Sequence, residues 1–287
     1  MKPQGLKTRI FLDSSDPDET RAAIDLLGFL DGQTTNPTLL SKHPEAQKRL
    51  RQGKKFQEAE VFSFYRDIVR EIAEMIPSGS VSIEVNAGTL VSQEEMLRQG
   101  REMFSWIPNA HVKFPITKEG LAAAEIAVKE KMRVNMTLCF SQAQAAAVYA
   151  ATRGAKKGDV FVSPFVGRLD DRGDNGMDLI TNIVKMYGGG DGHVEVLTAS
   201  VRSLDHFLFA IKLGSDIVTA PLEILQEWKG KGMPVSQTDF RYDAHGLQSI
   251  PYEEIDLSLP WSQFNISHEL TRKGVERFSS DWNTLIQ

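Results

Sequence analysis

Three ionisable side chains stand in runs that otherwise read as buried strand: Asp13 in RIFLD (9–13), Glu84 in VSIEV (81–85) and Lys113 in HVKFP (111–115). Lysine is almost never fully buried unless it is paired or used. One reading of Lys113 is a structural ion pair with Glu84 or Asp13. The other is nucleophilic. An amine confined between apolar walls loses solvation of its charged form, so its pKa falls and free amine becomes available. That amine can attack a ketone and form a Schiff base, which acts as an electron sink. Carbinolamine formation and dehydration need a nearby acid/base, and Asp13 and Glu84 are of the right type. An anion site is also visible. SPFVGR (163–168) and ASVR (199–202) each follow a strand-like run and place an arginine, Arg168 or Arg202, just past its end. Either arginine alone reads as a surface salt bridge; two guanidinium groups at one mouth suit a sugar phosphate through bidentate, charge-assisted bonds.

The elements that must position these groups repeat along the chain. Eight β-rich runs occur, at 9–13, 32–36, 81–85, 111–115, 134–138, 160–165, 194–200 and 216–221. Between them lie amphipathic, helix-like segments such as 16–30, 118–131, 141–154 and 203–214. Ser15 or Asp16 before Pro17 suits a helix start, and Gly154 and Gly214 suit helix ends. Strands alternating with helices imply a parallel sheet. Eight units in about 220 residues are what a (β/α)8 TIM barrel requires, with a doubly wound open sheet as the alternative. Residues 1–228 are thus expected to form the catalytic barrel and 229–287 a C-terminal extension. Two regions depart from the repeat. Pro37 to Ser80 leaves room for an extra helix, and 229–265 is irregular and rich in Gly, Pro, Ser and Asp. Helical spacing returns in 266–287, with Leu270, Val275, Phe278 and Trp282 as apolar positions, so a terminal helix is expected on the barrel or on a neighbouring subunit.

Side chains alternate across a strand. Val112, Phe114 and Ile116 share one face of the fourth strand and His111, Lys113 and Pro115 the other. The third splits into Val81, Ile83 and Val85 against Ser82, Glu84 and Asn86. The fifth splits into Val134, Met136 and Leu138 against Asn135, Thr137 and Cys139, and the first into Ile10 and Leu12 against Phe11 and Asp13. Helices must cover the apolar face, so the polar face points into the barrel. Asp13, Asn36, Glu84, Lys113, Asn135, Thr137, Ser163 and Ser200 then converge near the strand ends, where barrel active sites lie. Such a set needs mutual partners or a ligand to satisfy its hydrogen bonds.

Composition bounds the rest. The 287 residues carry 33 basic and 38 acidic side chains, a net charge of −5, with 41% apolar residues and a single cysteine. No basic stripe suggests nucleic acid. No apolar stretch has the length of a membrane span, and the first residues do not resemble a signal peptide, so a cytoplasmic protein is expected. The lone Cys139 excludes an internal disulfide and reads as a small core residue. Histidines 43, 111, 193, 206, 245 and 268 show no metal-ligand spacing, and His111 reads as core packing deeper in the barrel. GGGDG (188–192) follows no strand and reads as a loop, and DDRGDNGMDLIT (170–181) has Arg172 and Thr181 where a calcium loop needs oxygen ligands.

With these residues in place the chain resembles the transaldolase family, specifically its short bacterial-type branch, which includes the fructose 6-phosphate aldolases. The matching motifs are FLDSSD (11–16), DGQTTNPTLLSK (31–42), SIEV (82–85), VKFPIT (112–117), VNMTLCFSQAQA (134–145), VSPFVGRLDD (162–171), TASVRS (198–203), IVTAPLEIL (217–225) and LTRKGVERFSSDW (270–282). They span nearly the whole chain in order. The resemblance implies a TIM barrel without metal or organic cofactor that acts on sugar phosphates in the pentose phosphate pathway. It implies Lys113 as the Schiff-base lysine and Asp13 as the acid/base at the C4 hydroxyl. Glu84 and Thr137 would hold a catalytic water, Asn36, Asn135 and Ser163 the dihydroxyacetone hydroxyls, and Arg168, Ser200 and Arg202 the phosphate. The aldolases carry glutamine where this chain has Glu84 and tyrosine where it has Phe165, so the resemblance favours transaldolase over aldolase. A sugar-phosphate-binding barrel without catalysis is the alternative from another class; intact Asp13, Glu84 and Lys113 speak against it. Short-branch enzymes form homo-oligomers, rings of five stacked as decamers. Residues 229–265 depart from that branch, which largely lacks them; the segment bears either on the barrel mouth or on a subunit contact.

Overall fold

Strands and helices alternate along the chain in the computed structural model, which describes residues 1–88, 90–235, 240–244 and 246–287. The strands are β1 (Arg9–Asp13), β2 (Gly32–Thr34), β3 (Ser80–Glu84), β4 (Ala110–Pro115), β5 (Val134–Cys139), β6 (Val160–Pro164), β7 (Val194–Thr198) and β8 (Ile217–Ala220). Every neighbouring pair is parallel, and β8 pairs with β1 to close the barrel. This is the (β/α)8 barrel that eight βα repeats predict; the open doubly wound sheet is excluded by the closure.

Local chemistry explains the boundaries. Helix α1 (Pro17–Leu27) starts at Asp16, whose carboxylate accepts from Asp18 N–H at 2.9 Å, and ends at Gly28, which takes the left-handed conformation (φ 78°). Strand β2 stops two residues before its expected end, because the Asn36 side chain turns to cap α2 (Pro37–Lys42) by accepting from Leu39 N–H. Where one helix beyond the regular crossover was expected there are two, since three helices link β2 to β3: α2, α3 (Pro44–Arg51) and α4 (Glu58–Met75). Pro37 and Pro44 each sit at a first helical position, which restarts the helix rather than extending it, and a Gln57–Glu60 capping box opens α4. Helices α5 (Gln93–Phe104), α6 (Lys118–Lys129) and α7 (Gln142–Ala151) follow β3, β4 and β5. Thr152, not Gly154, ends α7, and Gly154 turns the chain further on (φ 88°). After β6 come α8 (Val166–Asp170) and α9 (Gly176–Tyr187), and after β7 comes α10 (Leu204–Leu213), which Gly214 ends in the left-handed conformation.

The barrel interior is layered. At its lower, N-terminal end the rings of Phe11, Phe161 and His111 fill the lumen. His111 stacks on Phe161 at 4.1 Å, pairs with Ser80 Oγ at 2.8 Å, and lies within 2.9 Å of Gly158 O. Burial holds its pKa down at about 3, so it stays neutral, as a core residue should. Above it Ser82, Asn135 and Ser163 form a hydrogen-bonded polar layer, and Glu84, Lys113, Asp13 and Thr34 lie at the upper end.

Cys139 corrects the parity reading. Leu138 adopts a left-handed backbone (φ 61°), and the β5–β6 register slips between Met136 and Cys139. That break pairs Cys139 with Pro164 of β6 and takes it out of step with Asn135 and Thr137. Cys139 is fully buried, and burial pushes its thiol up to about 12, which makes it an inert core residue.

After β8 and α11 (Leu222–Gly230), the described part of the irregular segment runs as a strap over the outside of the barrel helices. Tyr242 stacks on Phe209 of α10 at 4.9 Å, Asn182 of α9 donates to Ile250 O, and Gln142 of α7 exchanges two hydrogen bonds with the Glu253 backbone. Trp261 then donates to Glu125 of α6 at 3.0 Å. His245 lies outside the described residues. The strap delivers α12 (Glu269–Leu285) to the upper end of the barrel. There Thr271 Oγ1 donates to Leu138 O at 2.9 Å, Thr38 of α2 donates to Asp281, and Val275, Phe278 and Trp282 are buried while Leu270 stays half-exposed. No helix among the described residues is long and apolar enough to cross a membrane.

Candidate active site

A cavity of about 290 Å³ opens between the upper strand ends and α12. Asp13, Asn36, Lys113, Ser163, Phe165, Arg168, Ser200 and Arg202 line it. Glu84, Asn135 and Thr137 stand behind that lining, each buried.

Lys113 forms the ion pair of the first reading and also borders a cavity. Its Nζ lies 2.9 Å from Glu84 Oε2 and donates to Thr35 O at 2.9 Å, yet it also borders the cavity. The register of the sheet makes this contact: Glu84 on β3 pairs directly with Lys113 on β4, which pairs with Asn135 on β5. Lys113 and Glu84 are 3% and 2% exposed. Burial raises the pKa of the Glu84 carboxyl, and the charge and hydrogen bond of Lys113 oppose that rise. Asp13 likewise has its pKa raised by burial, against the pull of the Lys113 charge and of the Thr34 hydroxyl, which donates to it at 2.7 Å. Two carboxyls with raised pKa values beside one amine give a site able to pass protons.

The neighbouring polar groups are held in place. Ser163 Oγ donates to Asn135 Oδ1 at 2.6 Å while Asn135 Nδ2 donates to Ser82 Oγ at 3.1 Å, which fixes the amide orientation. Thr137 Oγ1 is fully buried and finds no hydrogen-bond partner among the described residues. Such a group is costly unless a further polar molecule meets it.

The far end of the cavity is basic. The Arg168 guanidinium lies 5.3 Å from the ring centroids of both Phe165 and Phe278 and makes no hydrogen bond or ion pair among the described residues. Arg202 forms a two-pronged contact with Asp171 at 2.6 and 2.7 Å. Ser200, between the two loops, is a non-glycine residue in the left-handed region (φ 57°), a strained backbone of the kind that clusters at working sites. The loops interlock there: a Cβ at Gly167 would come within 2.6 Å of the Arg202 side chain and 2.5 Å of Ser200 O.

Thr34, Thr38, Thr219, Arg277 and Phe278 also line the cavity, and sequence reasoning missed them. Thr34 shares the strand face of Asn36, so strand parity extended to β2 would have found it. Thr219, whose hydroxyl lies 2.7 Å from that of Thr34, was open to the same treatment on β8. Arg277 and Phe278 arrive from α12, and no local pattern announces which barrel feature a terminal helix will meet.

Gly274 of α12 is where that helix comes closest. A Cβ there would lie 2.6 Å from a Leu138 methyl and 2.9 Å from Arg168 Nη1. Gly274→Ala gains about 1 kcal/mol of helix propensity but overpacks the contact by about 1–3 kcal/mol. The expected outcome is a net loss of stability in urea denaturation, although the same change on an exposed helix face is stabilising.

A family model described as transaldolase/fructose-6-phosphate aldolase matches residues 10–287. The chain is 35% identical over 277 residues to a protein of Dehalococcoides mccartyi named "Probable transaldolase", covering 96% of this chain and 99% of the relative. A protein of Herpetosiphon aurantiacus with the same name is 35% identical, covering 96% and 94%. A third, from Sorangium cellulosum, is 38% identical over 76% of this chain and 88% of the relative.

Proposed function

The chain belongs to the transaldolase/fructose-6-phosphate aldolase family, and from that premise we propose that it is a transaldolase working through a Schiff base on Lys113. It takes a dihydroxyacetone unit from a ketose phosphate, fructose 6-phosphate or sedoheptulose 7-phosphate, and gives it to an aldose phosphate, a reaction of the pentose phosphate pathway. One observation carries this reading: a buried lysine whose Nζ borders a cavity and lies 2.9 Å from a carboxylate with raised pKa.

Glu84 takes a proton from Nζ, and the free amine adds to the C2 carbonyl to form a carbinolamine. Loss of water gives the iminium. Asp13 then removes the C4 hydroxyl proton, the C3–C4 bond breaks, and its electron pair moves into the iminium to give an enamine while the aldose phosphate leaves. The enamine adds to the aldehyde carbon of a second aldose phosphate, and the steps reverse to hydrolysis. A water held between Glu84 and Thr137 Oγ1 would relay the protons of the carbinolamine steps and would give that hydroxyl its missing partner. Asn36, Asn135 and Ser163 meet the hydroxyls of the three-carbon unit; Arg168, Ser200 and Arg202 meet the phosphate.

Phe165 separates this reading from a fructose 6-phosphate aldolase. Its ring lies under Arg168 and edge-on to Phe140 at 5.9 Å, and it has no hydroxyl to help water protonate the enamine, so the three-carbon unit waits for an acceptor.

Borohydride reduction in the presence of fructose 6-phosphate, followed by peptide mass mapping, tests the proposal. The expected product is a three-carbon adduct on Lys113; an adduct elsewhere, or none, removes Lys113 from the chemistry. In the same preparation without acceptor, free dihydroxyacetone should not accumulate, and its sustained release would mean an aldolase.

A further inference from the structure

The phosphate end of the cavity holds three guanidinium groups, not two. Arg202 is engaged with Asp171 through both of its forked nitrogens. Arg168 is sandwiched between aromatic rings with its donors unused by any described residue. The third, Arg277, reaches the same cavity from α12, one residue before the Phe278 ring that lies under Arg168. Its partner among the described residues is Asp281, one turn further on, at 3.5 Å from Nε, and that carboxylate also accepts from Thr38 Oγ1. Both Nη groups of Arg277 are therefore left over. Arg277 also acts on Arg168: among the positive neighbours that disfavour the Arg168 charge it comes ahead of Arg202. The Glu84 charge favours that of Arg168 more than Arg277 disfavours it, but two guanidinium groups that share a cavity still repel each other, and a dianion between them relieves the repulsion.

We propose that Arg277 binds the substrate phosphate together with Arg168, so that α12 carries part of the selectivity for phosphorylated sugars. This rests on the transaldolase reading and deepens it. The phosphate would sit between a half-buried guanidinium on aromatic rings and an exposed one at the rim, with the tether of Asp281 to Thr38 holding α12 at the distance required. Arg277 itself is 62% exposed, so its removal leaves the core intact.

The test compares wild type, Arg277→Gln and Arg277→Lys with fructose 6-phosphate, with unphosphorylated fructose, and with inorganic phosphate as a competitive inhibitor. Arg277→Gln should raise KM for fructose 6-phosphate about 10- to 100-fold, the size of losing hydrogen bonds between charged groups. Its kcat should stay within about 3-fold, because no reacting atom is touched. The inhibition constant of inorganic phosphate should rise in parallel, the slow turnover of fructose should not change, and Arg277→Lys should recover part of the affinity. Unchanged KM and inhibition overturn the proposal, as does a loss that falls equally on unphosphorylated fructose or that lysine does not relieve. Failure of the Schiff-base reading appears separately, as wild type that traps no adduct. Calorimetric titration of fructose 6-phosphate into wild type and Arg277→Gln still reads Arg277 in that case: weaker binding by the variant supports the role, and equal binding overturns it.

Discussion

Lys113→Met is expected to lower turnover by about 10⁴-fold or more, since the covalent intermediate proposed on that lysine cannot form, and to make the protein progressively less stable as pH rises. The second effect comes from Glu84. That carboxyl is 2% exposed, and its pKa is raised by burial even with the Lys113 amine 2.9 Å away to favour its charge. Methionine fills the space without the charge, so the folded pKa of Glu84 climbs further above its unfolded value near 4.5. A carboxyl with a raised folded pKa binds more protons folded than unfolded between the two values. Its contribution is therefore full below the unfolded pKa and is lost as pH rises through the folded one. Removing one partner of a buried pair costs about 3–5 kcal/mol when the remaining charge stays ionised, which bounds the drop. Urea denaturation of wild type and variant between pH 5 and pH 8 checks it. A gap that does not widen with pH would mean that Glu84 does not depend on Lys113. Lys113→Met combined with Glu84→Gln removes the charge itself and should flatten the profile, because the two positions act as one unit.

The same pair shows how much of this protein is legible in its sequence and where legibility stops. Alternation along β3 and β4 put Glu84 and Lys113 on the inner face, and the parallel register set them opposite each other. Inner-face polar residues on β1 and β5 followed by the same rule, because a strand has only two faces and the helices claim one. The rule holds only while the backbone stays extended. At Leu138 it turns left-handed and the register slips, so Cys139 falls out of the alternation that Asn135 and Thr137 follow. Helix number between Pro37 and Ser80 was under-read because a proline in this stretch begins a new helix as readily as it ends one. The route of the strap and the landing of α12 depend on contacts such as Gln144 to Ile266 O and Thr38 to Asp281. Partners so far apart in the chain leave no periodic trace, so Arg277 and Phe278 became visible only in the folded chain.

Asp13→Asn is expected to leave the Schiff base intact and stop the reaction one step later. Asparagine keeps the volume of aspartate, and its amide oxygen can still accept from Thr34 Oγ1, which donates to Asp13 at 2.7 Å. In the proposed mechanism iminium formation on Lys113 draws on Glu84, whose contact with the lysine does not involve Asp13. Cleavage of C3–C4 does require a base for the C4 hydroxyl proton, and an amide is none. Turnover should fall by about 10²–10⁴-fold, the usual contribution of a positioned acid/base, with KM little changed. The sharper readout is the mass of the borohydride adduct. Wild type should yield a three-carbon modification of Lys113, whereas the variant should trap the whole six-carbon sugar phosphate, because the carbon chain is never cut. The pH profile adds a second signature. Burial raises the Asp13 pKa, so wild-type turnover should decline on the acid side at a pH above the ordinary carboxylate range as the base becomes protonated. The residual activity of the asparagine variant should lose the part of that limb that Asp13 contributes and keep the part that belongs to Glu84, whose pKa burial also raises. A three-carbon adduct forming at the wild-type rate, or an acid limb wholly unchanged by the substitution, would take Asp13 out of the cleavage step and leave Glu84 as the carboxylate beside the iminium to perform it.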